Sequence, residues 1–199
     1  MQTSIGKDIP PRQRILAAAT GLFYRHGIRA VGVEAIAEAA CTNKMTIYRH
    51  FASKEALVAE YLREAARTAD ACWERLERAH PGDPLAQLLG WLAEMAGHLA
   101  GAEKRGCALA NAAVELPEKN HPARRVIEES KRAQRTRLIR LGEQAGLSEP
   151  AVVADELQLL LEGARVMAQS VGTDGLVERV LRMGKATIAA HLPQHGRSG

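Results

Sequence analysis

Apolar residues along this chain recur at spacings of three and four rather than two, a period that predicts one helix after another. The first opens at Pro11, whose fixed φ suits an early helical position, and runs through RQRILAAATGLFYRHG to a stop at Gly27. Its apolar stripe is Ile15, Ala18, Ala19, Leu22 and Phe23. VEAIAEAA predicts a short second helix from about Val33 to Ala40, with Gly32 at the N-cap. Asn43, a strong N-cap residue, predicts a third helix of about two turns, KMTIYRHF, from Lys44. Ser53 with Glu55 resembles a compressed capping box and opens a long fourth helix that ends at His80-Pro81-Gly82.

Further helices follow in DPLAQLLGWLAEMAGHLAG, CALANAAVEL, ARRVIEESKRAQRTRLIRLGEQAG, SEPAVVADELQLLLEGARVMAQSV and TDGLVERVLRMGKATIAAHL. The breaks between them fall near Gly101 to Gly106, at PEKNHP, and at Gly146, Gly172 and Pro193. Strand signals are weak: aromatic residues are only 4%, and Val and Ile are scattered among Ala, Leu, Glu and Arg. The expected class is therefore all-α, with about nine helices. No repeat, low-complexity tract or long linker interrupts them, and the tail QHGRSG is expected to fray.

Composition adds three constraints. With 46% hydrophobic and 25% charged residues the chain has ordinary globular usage, so disorder and fibrous folds are not expected. No window of roughly 18 apolar residues suggests a membrane span, and MQTSIGKDIPPRQR lacks a signal-peptide core, so the expected location is the cytoplasm. Cys41, Cys72 and Cys107 are too far apart for a disulfide framework or a CxxC metal site, so free thiols and no metal are expected.

The net charge of +4 is unevenly distributed. Residues 1 to 54 hold eight Lys/Arg against three Asp/Glu, while residues 55 to 199 hold nineteen against twenty. A basic head on a near-neutral body suits a nucleic-acid partner.

Three short helices in residues 11 to 51 are the minimum for a helix-turn-helix with its supporting helix, the third entering the major groove. Cys41-Thr42-Asn43 supplies the turn. The recognition helix would then be Lys44 to His50, with Ile47 and Phe51 facing inward. Lys44, Thr46, Tyr48, Arg49 and His50 are its candidate DNA-contacting residues, a mixture of phosphate anchors and potential base readers.

IAEAACTNKMTIYRHFASKEAL resembles the signature of the TetR family, and GLFYRHG resembles the end of that family's first helix. The likeness covers residues 12 to 57. It implies a division into a helix-turn-helix DNA-binding domain at 1–52 and an effector-binding and dimerisation domain at 53–199. The implied function is a transcriptional regulator, a repressor released from double-stranded operator DNA by a small-molecule effector. Tyr48, His50 and Lys54 match positions that commonly touch the DNA backbone, and Thr46 matches one that faces phosphate or base edges.

One departure concerns the turn. The family usually has Ala-Gly-Val-Ser where this chain has Ala40-Cys41-Thr42-Asn43. A positive φ at Cys41 would cost about 1 kcal/mol of strain. Met45 also replaces a small residue, and either contacts a thymine methyl or fills space.

The resemblance further implies a homodimer through the last two long helices, about 149 to 171 and 174 to 191. Val152, Leu157, Leu160, Leu161, Ala164 and Ala168 form an apolar side on the first, and Leu176, Val180, Leu181, Gly184, Ile188 and Leu192 on the second. By the same resemblance Trp73, Trp91, Met95, His98, Cys107, Asn111 and Glu115 are candidates for an effector pocket. Cys107, Asn111 and Glu115 recur every fourth residue and share a face, and that face serves a pocket, a cap on a neighbouring helix or solvent. Lys104 and Arg105 near Cys107 would favour its thiolate, the chemistry of an electrophile sensor. An enzyme using Cys107 and His98 is the competing class, but no phosphate loop, metal-ligand pair or nucleophile elbow accompanies them. No catalytic residue and no cofactor are expected.

Overall fold

The computed structural model describes residues 9–100, 106–118 and 120–193. The predicted fraying of QHGRSG, and Lys104 and Arg105 with their effect on Cys107, lie outside these residues. Among the described residues there are nine helices and no strand, as the periodicity predicts. They are α1 (Pro11–His26), α2 (Val33–Ala39), α3 (Lys44–His50), α4 (Lys54–Ala79), α5 (Pro84–Gly97), α6 (Ala108–Glu115), α7 (Pro122–Gln144), α8 (Pro150–Val171) and α9 (Leu176–Ala190). The described residues fall into two compact units, one comprising those up to Arg67 together with those within Cys107–Glu129, the other those within Thr68–Gly106 and from Ser130 onward.

In the first unit, α1 begins with proline in its first turn and buries Ile15, Ala18, Ala19 and Phe23, all but one residue of the predicted stripe. Leu22 stays half-buried and packs against the same core. Ile36 of α2, Ile47 of α3 and Leu57 and Leu62 of α4 are all at most 1% exposed, each burial worth about 1.5–3 kcal/mol of transfer free energy. The Phe23 and Tyr61 rings meet at 5.6 Å with a 49° tilt.

This core has a further wall. Leu109, Ala112 and Leu116, with Ala123, Val126 and Ile127 at the start of α7, join the same cluster as the first three helices. Periodicity places these residues on apolar faces but cannot say which core receives them. The Glu115 carboxylate at the end of α6 accepts the backbone N–H groups of Ile28, at 2.6 Å, and Arg29, at 3.3 Å. Gly27 permits that approach: its φ is +87°, and a methyl group there would lie 3.0 Å from a Glu115 oxygen. Arg124 on α7 donates to the Ala113 carbonyl at 3.1 Å, tying α7 to α6.

In the second unit, Asp83 caps α5 by accepting the Ala86 N–H at 2.9 Å. Trp91, Leu92, Leu138, Leu157, Leu161 and Ile188 form its interior. Helix α9 comes close to α5 because Gly184 has no side chain, and a Cβ there would lie 2.6 Å from Leu92 Cδ2. Trp73 and Trp91 stack with centroids 5.5 Å apart and planes within 7°, and the Arg137 guanidinium lies 5.5 Å from the Trp73 ring centroid. No helix among the described residues is long and apolar enough to cross a membrane.

Candidate nucleic-acid interface

Helix α2 ends in a reciprocal pair of backbone bonds, Cys41 N–H to the Glu38 carbonyl at 3.0 Å and Thr42 N–H to the Ala37 carbonyl at 2.9 Å. This is the Schellman arrangement, which requires a left-handed residue at the position Cys41 occupies. Cys41 has φ +50° and is the one described non-glycine residue with positive φ, so the turn keeps its geometry without the glycine that would relax it. Two residues on, the Asn43 side-chain oxygen accepts the Thr46 N–H at 2.9 Å and the Thr46 hydroxyl at 3.1 Å. The chain is thereby turned out of one helix and started into the next within four residues.

Helix α3 is held from beneath. Ile47 and Phe51 are 1% and 4% exposed, and Arg12 lies over the Phe51 ring at 5.1 Å. Its other side faces outward: Lys44, Met45, Tyr48, Arg49 and His50 are exposed, and Thr46 is half-buried. At 67% exposure Met45 fills no interior space. Lys54 begins α4, whose start Ser53 caps by accepting the Ala56 N–H at 3.1 Å. All seven DNA-contact candidates therefore belong to one unit and lie on α3 or at the start of α4.

Sequence reasoning missed the partner of Lys44. Its ammonium donates to Glu34 Oε1 of α2 at 2.8 Å. Hydrogen bonding and charge from Glu34 raise the Lys44 pKa, and bonds from Lys44 and from its own backbone amide lower that of Glu34. The available signal was an acidic residue in the first turn of a helix within an otherwise basic head.

The seven effector-pocket candidates are distributed over both units. Trp73 and Trp91 are buried against each other, Met95 is half-buried and His98 exposed, all in the second. Cys107, Asn111 and Glu115 belong to the first, where Cys107 stands at the start of α6 and Glu115 takes the role of a cap on the α1–α2 turn. No cluster of His, Cys, Asp and Glu suited to a metal ion occurs among the described residues.

Residues 15–61 match the family profile of bacterial regulatory proteins, tetR family. The HTH-type transcriptional regulator UidR of Escherichia coli strain K12 is 36% identical over 72 residues, 36% of this chain and 37% of its own length. The chain thus aligns with little more than a third of that curated relative. Among solved structures, a TetR-family transcriptional regulator from Streptomyces coelicolor superposes with a TM-score of 0.84 at 26% identity, covering 91% of this chain and 95% of its own. A TetR-family transcriptional regulator from Agrobacterium tumefaciens, 23% identical, shares the fold with a TM-score of 0.77 over 88% of this chain and 96% of its own. The helix-turn-helix of this chain thus matches the profile of bacterial regulatory proteins, tetR family, and its all-helical fold is similar nearly end to end to that of a TetR-family transcriptional regulator.

Proposed function

We propose that the chain is a transcriptional repressor that binds double-stranded operator DNA as a homodimer in the cytoplasm. The observation carrying this reading is the two-sidedness of α3: Ile47 and Phe51 are buried, while Lys44, Met45, Tyr48, Arg49 and His50 are exposed. A short, capped, solvent-facing helix with three cationic or cationisable side chains suits the major groove. In this reading Tyr48, Arg49, His50 and Lys54 hold phosphates, whereas Met45 and Thr46 read base edges. Division by role follows at 1–52 for DNA and 53–199 for effector and dimer.

The homodimer reading rests on α8 and α9. Most of the stripe expected to pair copies is used inside the protomer: Leu157, Leu161 and Ala164 are buried, as are Leu176, Val180 and Ile188. A different face remains open. Leu159 and Val166, seven residues apart, are 73% and 64% exposed, as are Met167 and Val171 of α8 and Met183 of α9 at 49%, 73% and 50%, while Val152 of the expected stripe stays open at 42%. That spacing keeps Leu159 and Val166 on one side of a helix, the arrangement by which two copies pack helix against helix.

Release by an effector is a population shift: a small molecule that binds better to the form unable to span two half-sites draws the dimer off its operator. Trp73, Trp91, Met95 and His98, with Cys107, Asn111 and Glu115, are the proposed starting points for locating that molecule, and no cofactor is required. Selecting bound fragments from genomic DNA, then screening small molecules for thermal stabilisation coupled to lost operator affinity, tests the whole reading. Recovery of no enriched sequence would refute operator recognition, and an operator complex indifferent to every stabilising compound would refute effector release.

A further inference from the structure

Among the candidate DNA contacts, Lys44 differs in having an anionic partner on its own chain. Glu34 Oε1 receives its ammonium at 2.8 Å, and both side chains are largely exposed, at 72% for Glu34 and 54% for Lys44. The Glu34 carboxylate lies near Gly32, whose added Cβ would come 3.5 Å from Oε2. A DNA phosphate approaching Lys44 offers the same ligand chemistry that Glu34 already supplies, an anionic oxygen at hydrogen-bond distance.

We propose that Glu34 is an affinity-setting residue of the DNA-binding surface, an intramolecular competitor that keeps Lys44 from a backbone phosphate. The inference rests on the DNA-binding reading above. Phosphate contacts carry no sequence information and supply most non-specific affinity, so withholding one lowers binding to every duplex while leaving base contacts intact. Met45 and Thr46 then account for a larger share of the discrimination. An exposed ion pair is weak enough to be broken, which confines the effect to a modest factor.

The test is fluorescence anisotropy of a labelled random-sequence duplex of 40 base pairs, titrated with wild type, E34Q, K44M and the double variant from low to moderate salt. The expected result is E34Q binding roughly two- to fivefold tighter than wild type at low salt. Its log–log salt slope should steepen by about 0.9 per protomer, one additional phosphate neutralised. Neither change should occur in the K44M background. Equal affinity and slope for wild type and E34Q would overturn the inference alone. A gain that survives in K44M would do the same, since it would reflect only the removed negative charge. A folded wild type that ignores duplex DNA at low salt would overturn the DNA-binding reading and this inference together.

Discussion

Glu115 and Ile28 are 87 residues apart in sequence, yet the carboxylate of the first accepts the backbone N–H of the second at 2.6 Å. One side chain on α6 thus satisfies two amides that α1 and the following turn leave without helical partners. Removing the acceptor strands those donors, and bonds to a charged group are worth about 1.5–3 kcal/mol. We expect E115A to lower unfolding free energy by about 2 kcal/mol in denaturant titrations. G27A should be comparably harmful, because it combines strain at φ +87° with a methyl group only 3.0 Å from a Glu115 carboxylate oxygen. E118A, which breaks a largely exposed pair with Arg29 at 3.0 Å, should stay within about 0.5 kcal/mol of wild type.

Cys41 gives a change of opposite sign. It occupies a left-handed position at φ +50° with an exposed side chain, so glycine there removes strain and deletes no core contact. C41G should stabilise the protein by about 1 kcal/mol, raising the thermal midpoint by a few degrees. An unchanged or lowered midpoint would contradict the strain.

Three titrating groups make stability depend on pH at both ends of the range. The backbone amide of Glu55 and the Ser53 hydroxyl lower the Glu55 pKa below 4.5. Burial acts to raise Glu60, but hydrogen bonds from Arg63, Arg67 and Arg12 outweigh it and leave its pKa lowered too. Carboxylates lowered on folding contribute stability that is present above their unfolded value of 4.5 and is lost as pH falls through the folded one. The Cys72 thiol is the reverse case: burial, then its bond to Glu94, pushes it from 9.0 to about 12. Its contribution is complete below pH 9.0 and is lost as pH rises toward about 12. Thermal midpoints should therefore fall below pH 4.5 and again above pH 9, and a thiol reagent at pH 8 should label exposed Cys41 while sparing Cys72. Labelling of Cys72 at the rate of Cys41 would contradict its burial.

The proposed dimer face makes its own prediction. Leu159 and Val166 are largely exposed, at 73% and 64%, so charge there should be tolerated by the fold. In sedimentation experiments L159D/V166D should weaken self-association by roughly 30-fold, the equivalent of about 2 kcal/mol at a buried contact, with circular dichroism unchanged. A variant that sediments as wild type does would place the interface elsewhere.

Much of this architecture was legible in the sequence because its signals are local. Pro11, Asn43, Ser53 and Asp83 mark helix starts by chemistry confined to one turn, and each stands in the first turn of its helix or just before it. Ile47 and Phe51 announce the buried side of α3 by their spacing alone. What could not be read depends on partners distant in sequence. A carboxylate four residues from Asn111 suits a pocket and a cap equally well until Ile28 and Arg29 are brought to it. Likewise the stripe of Leu157, Leu161 and Ala164 differs from that of Leu159 and Val166 only in which side of α8 the rest of the unit covers, a tertiary fact absent from helical periodicity.

The central claim is that the exposed side of α3 binds duplex DNA. Anisotropy titrations of pooled genomic fragments with wild type and with Y48A, R49A and K54A, each at low and at physiological salt, test it most directly. The account predicts wild-type binding that weakens steeply with salt, and a loss in each variant of the order of tenfold at low salt. Binding that is indifferent to all three substitutions, or a wild type that leaves the fragments free at low salt, would contradict it.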